Sequence, residues 1–398
     1  MSFYGWRIVA AAFLVLFTAY GAQYSFGVFF AALLDEFGWS RAGLAGVFSL
    51  YAFAYSVFAF PAGRLTDRWG PRAVITVGGV FLGVALAAMA GVTQLWQPYV
   101  LYGLVAAIGM GTAYVPCSGT VVKWFARRRG LAVGLAGSGG SVGTFALPPL
   151  AQWLVGAVGW RAAYVIFGAL VLATLATVAR VMRRDPESMG LHPDGAAAAP
   201  STVVPGVRLA VALRAPALWL FGVALTATWI PVFVPLVHLV SLARDLGHGP
   251  ATGAWLMSAL GAGAVAGRLT MGPVSDRIGR KPALVFGTGA QAAAFVAYAQ
   301  VVTVEGLAAA TVAFGYSYGA VSTLFPAAVA DFFGRSAAGS IVGFLFMTAG
   351  SMAAWGPLAA GAVFDATGSY APAFLLSAAS NLIAAVVLVT LRMPARRG

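Results

Sequence analysis

Apolar runs of about twenty residues or more alternate with short polar islands along the whole chain, with limits near 6–34, 43–63, 73–92, 98–122, 130–155, 160–179, 216–240, 252–273, 282–303, 306–330, 337–362 and 370–391. Each run is long enough to cross a hydrocarbon core of about 30 Å as a helix. In lipid every backbone polar group must be satisfied within the protein, which leaves helices or closed barrels. A barrel needs short segments of alternating polarity, and the runs do not alternate. The pattern therefore predicts an all-α membrane protein of twelve transmembrane helices, and the even count puts both termini on one side.

Composition sharpens this reading. The 398 residues are 61% hydrophobic and only 9% charged, against about 25% charged in ordinary soluble domains. A net charge of +13 would suggest nucleic acid as a partner of a soluble protein. Here the basic residues alternate between loops and form no single patch, so no nucleic acid is expected and the bilayer is the partner. With the N-terminus inside, 20 Lys and Arg fall in cytoplasmic segments, whereas the external loops hold only Arg41, Arg161 and Arg244. That bias places both termini in the cytoplasm and a multi-pass chain in the inner, or plasma, membrane. The first run is too long for a signal-peptide core and lacks a convincing cleavage site. Cys117, the one cysteine, permits neither an internal disulfide nor a thiolate metal cluster, and no cofactor is expected.

The longest polar connection contains Arg183, Arg184, Asp185, Pro186, His192, Pro193, Asp194 and an alanine run. Its composition predicts a flexible linker over 183–215 between bundles at 1–182 and 216–398. The two halves repeat at an offset of 209 residues. Gly63-Arg64-Leu65-Thr66-Asp67-Arg68-Trp69-Gly70-Pro71-Arg72 returns as Gly272-Pro273-Val274-Ser275-Asp276-Arg277-Ile278-Gly279-Arg280-Lys281, and the same offset relates Gly38 to Gly247, Gly134 to Gly343, Pro148 to Pro357 and Gly159 to Gly368. Within the motif, Gly63 and Gly272 allow close helix approach. Asp67 and Asp276 can cap a neighbouring helix, and Arg68, Arg72, Arg277 and Arg280 can pair with them to hold one conformation shut. Solvated topology charges are the plainer alternative.

Twelve spans, a central loop and a doubled G-x-x-x-D-R-x-G motif resemble the major facilitator superfamily over the full length. The resemblance implies two pseudo-symmetric six-helix bundles that rock about a central site near the midplane. Tyr4-Gly5-Trp6 at the first span and Trp124-Phe125-Ala126-Arg127-Arg128-Arg129-Gly130, continuing to Gly139 at the fifth, are similar to the monocarboxylate transporters and the bacterial oxalate and formate exchangers. Gly130, Gly134, Gly137, Gly140 and Gly143 are also expected to give the fifth helix a flat packing face.

The polar inventory then bears on substrate. All eleven acidic residues fall in loops or at span ends and the only asparagine is Asn381, which disfavours organic cations and sugars. No nucleophile, metal cluster or carboxylate pair occurs within a span, so no enzyme is expected. Arg268 is the exceptional charge. An intramembrane arginine costs about 2.5–3.5 kcal/mol on insertion scales and is a functional candidate by default, because its planar fork grips a carboxylate through two hydrogen bonds. Snorkelling to the cytoplasmic edge is the alternative. The family resemblance implies that an arginine in the eighth helix anchors substrate, and Arg268 matches it by position. The chain departs from that pattern in having Ala264 one turn earlier instead of Asp, Tyr24 or a neighbour instead of a lysine in the first helix, and no second cation in 337–362. One fixed charge favours a small monocarboxylate, lactate- or pyruvate-like, carried with protons by symport in a functional monomer. Exchange of formate- or oxalate-type anions is the alternative.

Further candidate contacts are His238, Tyr20, Gln23, Tyr24, Tyr114 with Cys117 and Ser118, and Tyr316 and Tyr318. His238 could read a 2-position oxygen, take up the proton, or simply pack. Each tyrosine could touch substrate or be an ordinary packing aromatic.

Overall fold

The computed structural model describes residues 3–125, 129–195, 209–301, 303–333 and 338–391, and among them regular structure is helical throughout. The chain divides into two compact units, Met1–Ser201 and Thr202–Gly398. Unit 1 holds α1 (Gly5–Tyr24), α2 (Phe26–Phe37), α3 (Arg41–Trp69), α4 (Pro71–Ala88), α5 (Trp96–Pro98), α6 (Ala107–Gly111), α7 (Tyr114–Trp124) and α8 (Arg129–Ala179), with a π-helical stretch, Tyr99–Ala106, joining α5 to α6. Unit 2 holds α9 (Leu209–Ala212), α10 (Pro216–Trp229), α11 (Phe233–Asp245), α12 (Pro250–Ile278), α13 (Arg280–Gln300), α14 (Val304–Phe333), α15 (Ala338–Ala353), α16 (Trp355–Thr367) and α17 (Ala371–Thr390).

Pairing α1 with α2, α10 with α11 and α15 with α16, and taking α5 to α7 as one span, gives the expected twelve, because α8 turns at Gly159 (φ 81°) into two arms. Eight helical stretches among the described residues are long and apolar enough to cross a membrane, and one of them, Ala132–Ala179, has 48 residues, enough for two crossings.

The breaks inside spans have local causes. Pro116, Pro235 and Pro357 follow the interruptions between α6 and α7, α10 and α11, and α15 and α16, and a proline supplies no N–H to the carbonyl four residues earlier. The break at Ser25 has no proline; the Ser25 hydroxyl instead donates to the Gly21 carbonyl at 2.8 Å, a back-bond that bends helices.

The 209-residue repeat is written into the backbone. Gly38, Gly70 and Gly159 adopt φ of 62°, 82° and 81°, and Gly247, Gly279 and Gly368 adopt 83°, 94° and 70°. Three sharp helix-to-helix corners thus recur in register, each at a left-handed φ that glycine takes without penalty.

The linker expected over 183–215 is tied down at both ends. Tyr4 donates to the Val181 carbonyl at 2.9 Å, Trp124 Nε1 to the Arg183 carbonyl at 3.1 Å and an Arg184 guanidinium nitrogen to the Arg68 carbonyl at 2.8 Å. The rings of Phe3, Tyr4, Trp6, Trp124 and Phe125 pack together beside these bonds. In unit 2, Ala212 is fully buried and Trp219 Nε1 donates to the Leu213 carbonyl at 2.9 Å. Residues 196–208 between them lie outside the described residues.

Candidate functional site

Arg268 is positioned by a glycine-mediated crossing of α12 and α14. A Cβ added at Gly267 would collide with the Tyr316 carbonyl, one at Gly315 with the Leu260 carbonyl and one at Gly319 with the Ala264 carbonyl. Gly263 and Gly267 on one helix face Gly315 and Gly319 on the other, each pair four residues apart, which lets the backbones touch. Arg268 follows immediately on this seam, half-buried, ten residues or about 15 Å of axial rise before the end of α12. Two residues further along α12 the Thr270 and Tyr316 hydroxyls are hydrogen-bonded at 2.9 Å, which ties α12 to α14 just past the seam. Tyr318, also half-buried, stacks on Phe314 with centroids 6.4 Å apart.

His238 sits elsewhere in unit 2. It is fully buried, with Nε2 2.9 Å from the Pro357 carbonyl oxygen and Nδ1 2.9 Å from the Tyr370 hydroxyl. A carbonyl only accepts, so Nε2 carries the hydrogen and Nδ1 accepts from Tyr370. Both ring nitrogens are engaged inside the unit, clamping α11 to α16 and to the residue that opens α17. Of the three roles open from sequence, this geometry favours packing.

Unit 1 treats the matching joint differently. Phe29 lies 209 residues before His238 and stacks on Tyr164 at 3.8 Å. The carboxylate of Glu36 accepts from Trp160 Nε1 and pairs with Arg161 at 2.6 Å, and the Arg161 guanidinium lies 4.2 Å from the Trp160 ring.

Among the described residues, the polar groups gathered around Gln23 in unit 1 are neutral. Gln23 is 2% exposed; its Oε1 accepts from Tyr51 at 3.3 Å and its backbone carbonyl from Tyr102 at 3.4 Å. Gln23 Nε2 has no hydrogen-bond partner among the described residues. Tyr20 and Tyr24 stand 5.9 Å apart on the same helix, Tyr20 half-buried and Tyr24 buried. Tyr114 and Cys117, one turn apart on α7, separate: Tyr114 is 41% exposed and Cys117 fully buried. Tyr51, Tyr102, Thr270 and Tyr370 were missed from sequence, because a tyrosine or threonine within an apolar run carries no periodic signal to set it apart.

The fifth-helix glycines need correcting. Gly139 and Gly143 meet the Phe13 and Phe17 carbonyls of α1, and Gly140 meets Tyr20, while Gly134 and Gly137 have nothing within 4 Å of an added Cβ. The surroundings of Gly130 lie outside the described residues. At the motif ends, Gly63 approaches Val115, and Arg280 reaches the Ser275 hydroxyl and the Gly272 carbonyl, the latter at 3.4 Å. Arg68, Arg72 and Arg277 are exposed. The side chains of Asp67 and Asp276 lie outside the described residues.

Residues 12–236 and 228–398 match the family model described as Major Facilitator Superfamily. Among curated relatives, the chain is 30% identical to Monocarboxylate transporter 13 of Bos taurus over 393 residues, covering 98% of this chain and 89% of that protein. It is 30% identical to Monocarboxylate transporter 11 of Homo sapiens, at 98% and 83% coverage, and 27% identical to Monocarboxylate transporter 4 of Rattus norvegicus, at 97% and 82%. Its fold is similar to that of a bacterial homologue of the human lysosomal transporter Spinster in an inward-facing, unoccupied conformation, with TM-score 0.71, 14% identity and coverage of 98% of this chain and 96% of that one. It is similar also to a mutant of the nucleoside transporter NupG, with TM-score 0.75, 14% identity and coverage of 98% and 99%.

Proposed function

The chain belongs to the major facilitator superfamily, a multi-pass membrane transporter and not an enzyme, and from that premise we propose that it carries small monocarboxylates of the lactate and pyruvate kind with a proton. Transport proceeds by alternating access across the plasma membrane, with both termini cytoplasmic and one chain as the working unit. The observation that carries the reading is Arg268, a charge held about 15 Å of helix rise from the end of α12, against a glycine seam. Relatives bearing the name monocarboxylate transporter support it.

In this reading the Arg268 fork takes the carboxylate through two charge-assisted hydrogen bonds. Tyr318, half-buried on α14 of the same unit, offers a neutral donor to the rest of the molecule. His238 serves the joint of α11, α16 and α17. The two copies of the motif, through Asp67 and Asp276 with their arginines, lock one state. Asp67→Ala is then expected to slow turnover while leaving binding nearly unchanged; an equal loss of affinity contradicts the lock.

One observation favours a second reading. All eleven acidic residues fall in loops or at span ends, and exchange of formate- or oxalate-type anions needs no carboxylate within a span to carry a proton. Purified protein in liposomes decides between them. Symport predicts that a pH gradient alone drives accumulation of labelled lactate and that a protonophore abolishes it. Uptake that ignores the protonophore and requires preloaded formate or oxalate establishes exchange instead.

A further inference from the structure

One joint of unit 2 is polar where its copy in unit 1 is not. Gln291 on α13 and Asn381 on α17 are both fully buried, and 209 residues earlier their places are taken by Leu82 and Leu172. In unit 1 both places are apolar and tightly packed: a Cβ added at Gly83 of α4 would run into Leu172 of α8, and one at Gly109 of α6 would lie 2.7 Å from Leu82 Cβ.

The two amides face the same level of their helices. Tyr298 of α13 stacks on Phe374 of α17 with centroids 5.1 Å apart. Lys281, at the start of α13, donates to the Val389 and Leu391 carbonyls at the end of α17, so the two helices run antiparallel. Gln291 lies seven residues back along α13 and Asn381 seven residues forward along α17, two turns in each case, which brings both to one level of the pair.

Polar neighbours along this seam are satisfied. Thr288 donates to the Leu284 carbonyl at 3.0 Å, Tyr298 to the Thr311 hydroxyl at 3.0 Å, Ser377 to the Ala373 carbonyl at 2.8 Å and Asn381 Nδ2 to the Ser377 carbonyl at 3.1 Å. Left over are Gln291 Oε1, Gln291 Nε2 and Asn381 Oδ1, which have no hydrogen-bond partner among the described residues. Two acceptors and one two-proton donor, sealed from solvent, match a small neutral guest that both donates and accepts. Buried polar groups in proteins are overwhelmingly hydrogen-bonded to protein or to ordered water, and trapped water typically makes about three such bonds.

We propose that Gln291 and Asn381 form an internal binding site for water between α13 and α17, so that this joint is wet in unit 2 and dry in unit 1. X-ray radiolytic footprinting tests it on the intact protein, because side chains beside trapped water are hydroxylated even where bulk solvent is excluded. The reporter is Phe295, fully buried one turn from Gln291, against Phe48, 1% exposed in unit 1. Hydroxylation of Phe295 is expected to exceed that of Phe48 several-fold in the wild type. In Gln291→Leu/Asn381→Leu, which installs the unit 1 pair, it should fall to the Phe48 level; Gln291→Met serves if the double variant does not fold. Equal labelling of the two phenylalanines in the wild type, or labelling of Phe295 that persists in the variant, overturns the proposal.

Discussion

The two units share their corners and differ in their chemistry. Unit 1 seals the joint between its first and sixth spans with Phe29 on Tyr164 and an ion pair of Glu36 with Arg161. Unit 2 seals the corresponding joint with His238 between Pro357 and Tyr370. Unit 1 gathers neutral groups around Gln23, whereas unit 2 holds Arg268 on a glycine seam. A repeat free to diverge in side chains while keeping its left-handed glycines separates two jobs: the corners set the fold, and the spans between them set what is recognised. In the proposed function the charge that selects the substrate comes from one unit alone.

The comparison can be broken most forcefully at the arginine. Arg268→Ala is expected to abolish lactate uptake, and Arg268→Lys to restore little of it, because a point charge cannot reproduce the fork; proteoliposome uptake measures both. Unit 1 has alanine, Ala59, at the matching place, and Gln23→Leu, which removes one neutral acceptor from Tyr51, should have a far smaller effect, lowering stability by about 0.5–1.5 kcal/mol.

Next in size is the glycine seam. Gly319→Leu forces a side chain into the Ala264 carbonyl, and overpacking of this kind costs about 1–3 kcal/mol or more. Yield and melting temperature of the purified protein should both fall. Gly156→Ala, where an added Cβ meets nothing, should leave melting unharmed or raise it slightly, since alanine favours the helix by up to about 1 kcal/mol over glycine.

The His238 joint gives a smaller and more discriminating effect. His238→Phe alone strands the Tyr370 hydroxyl and the Pro357 carbonyl, at about 1–3 kcal/mol. His238→Phe/Tyr370→Phe removes the hydroxyl as well and should recover part of the melting temperature while keeping the lactate-to-acetate uptake ratio of the wild type. Loss of that ratio in the double variant would return His238 to substrate recognition. Smallest is Tyr4→Phe, which forfeits one hydrogen bond to Val181 and should lower stability by about 0.5–1.5 kcal/mol without touching uptake.

Much of the fold was legible because lipid permits few options. Apolar run length and loop charge point to the twelve spans, and the 209-residue offset marks the corner glycines. Side-chain pairing was less legible. His238 was visible as the one histidine in a span, yet nothing in the chain announced that Tyr370 and Pro357, more than a hundred residues away, would occupy both its nitrogens. The fifth-helix glycines were counted as one face, but an i, i+4 pair, Gly139 and Gly143, makes the backbone contact, with Gly140 beside it, because helix geometry turns Gly134 and Gly137 elsewhere. Gln291 and Asn381 escaped notice for the opposite reason: single amides in long apolar runs look like noise until the repeat shows leucine in both places.

The claim that Arg268 reads the carboxylate is tested most directly by a thermodynamic cycle between protein and ligand. The measurement is the affinity of purified wild type and Arg268→Ala for lactate and for lactamide, which keeps the hydroxyl but has no charge. The account predicts that the wild type prefers lactate by about 100-fold or more, the scale of a charge-assisted bidentate contact, and that the variant binds the two alike. A preference of the same size in both proteins would contradict it.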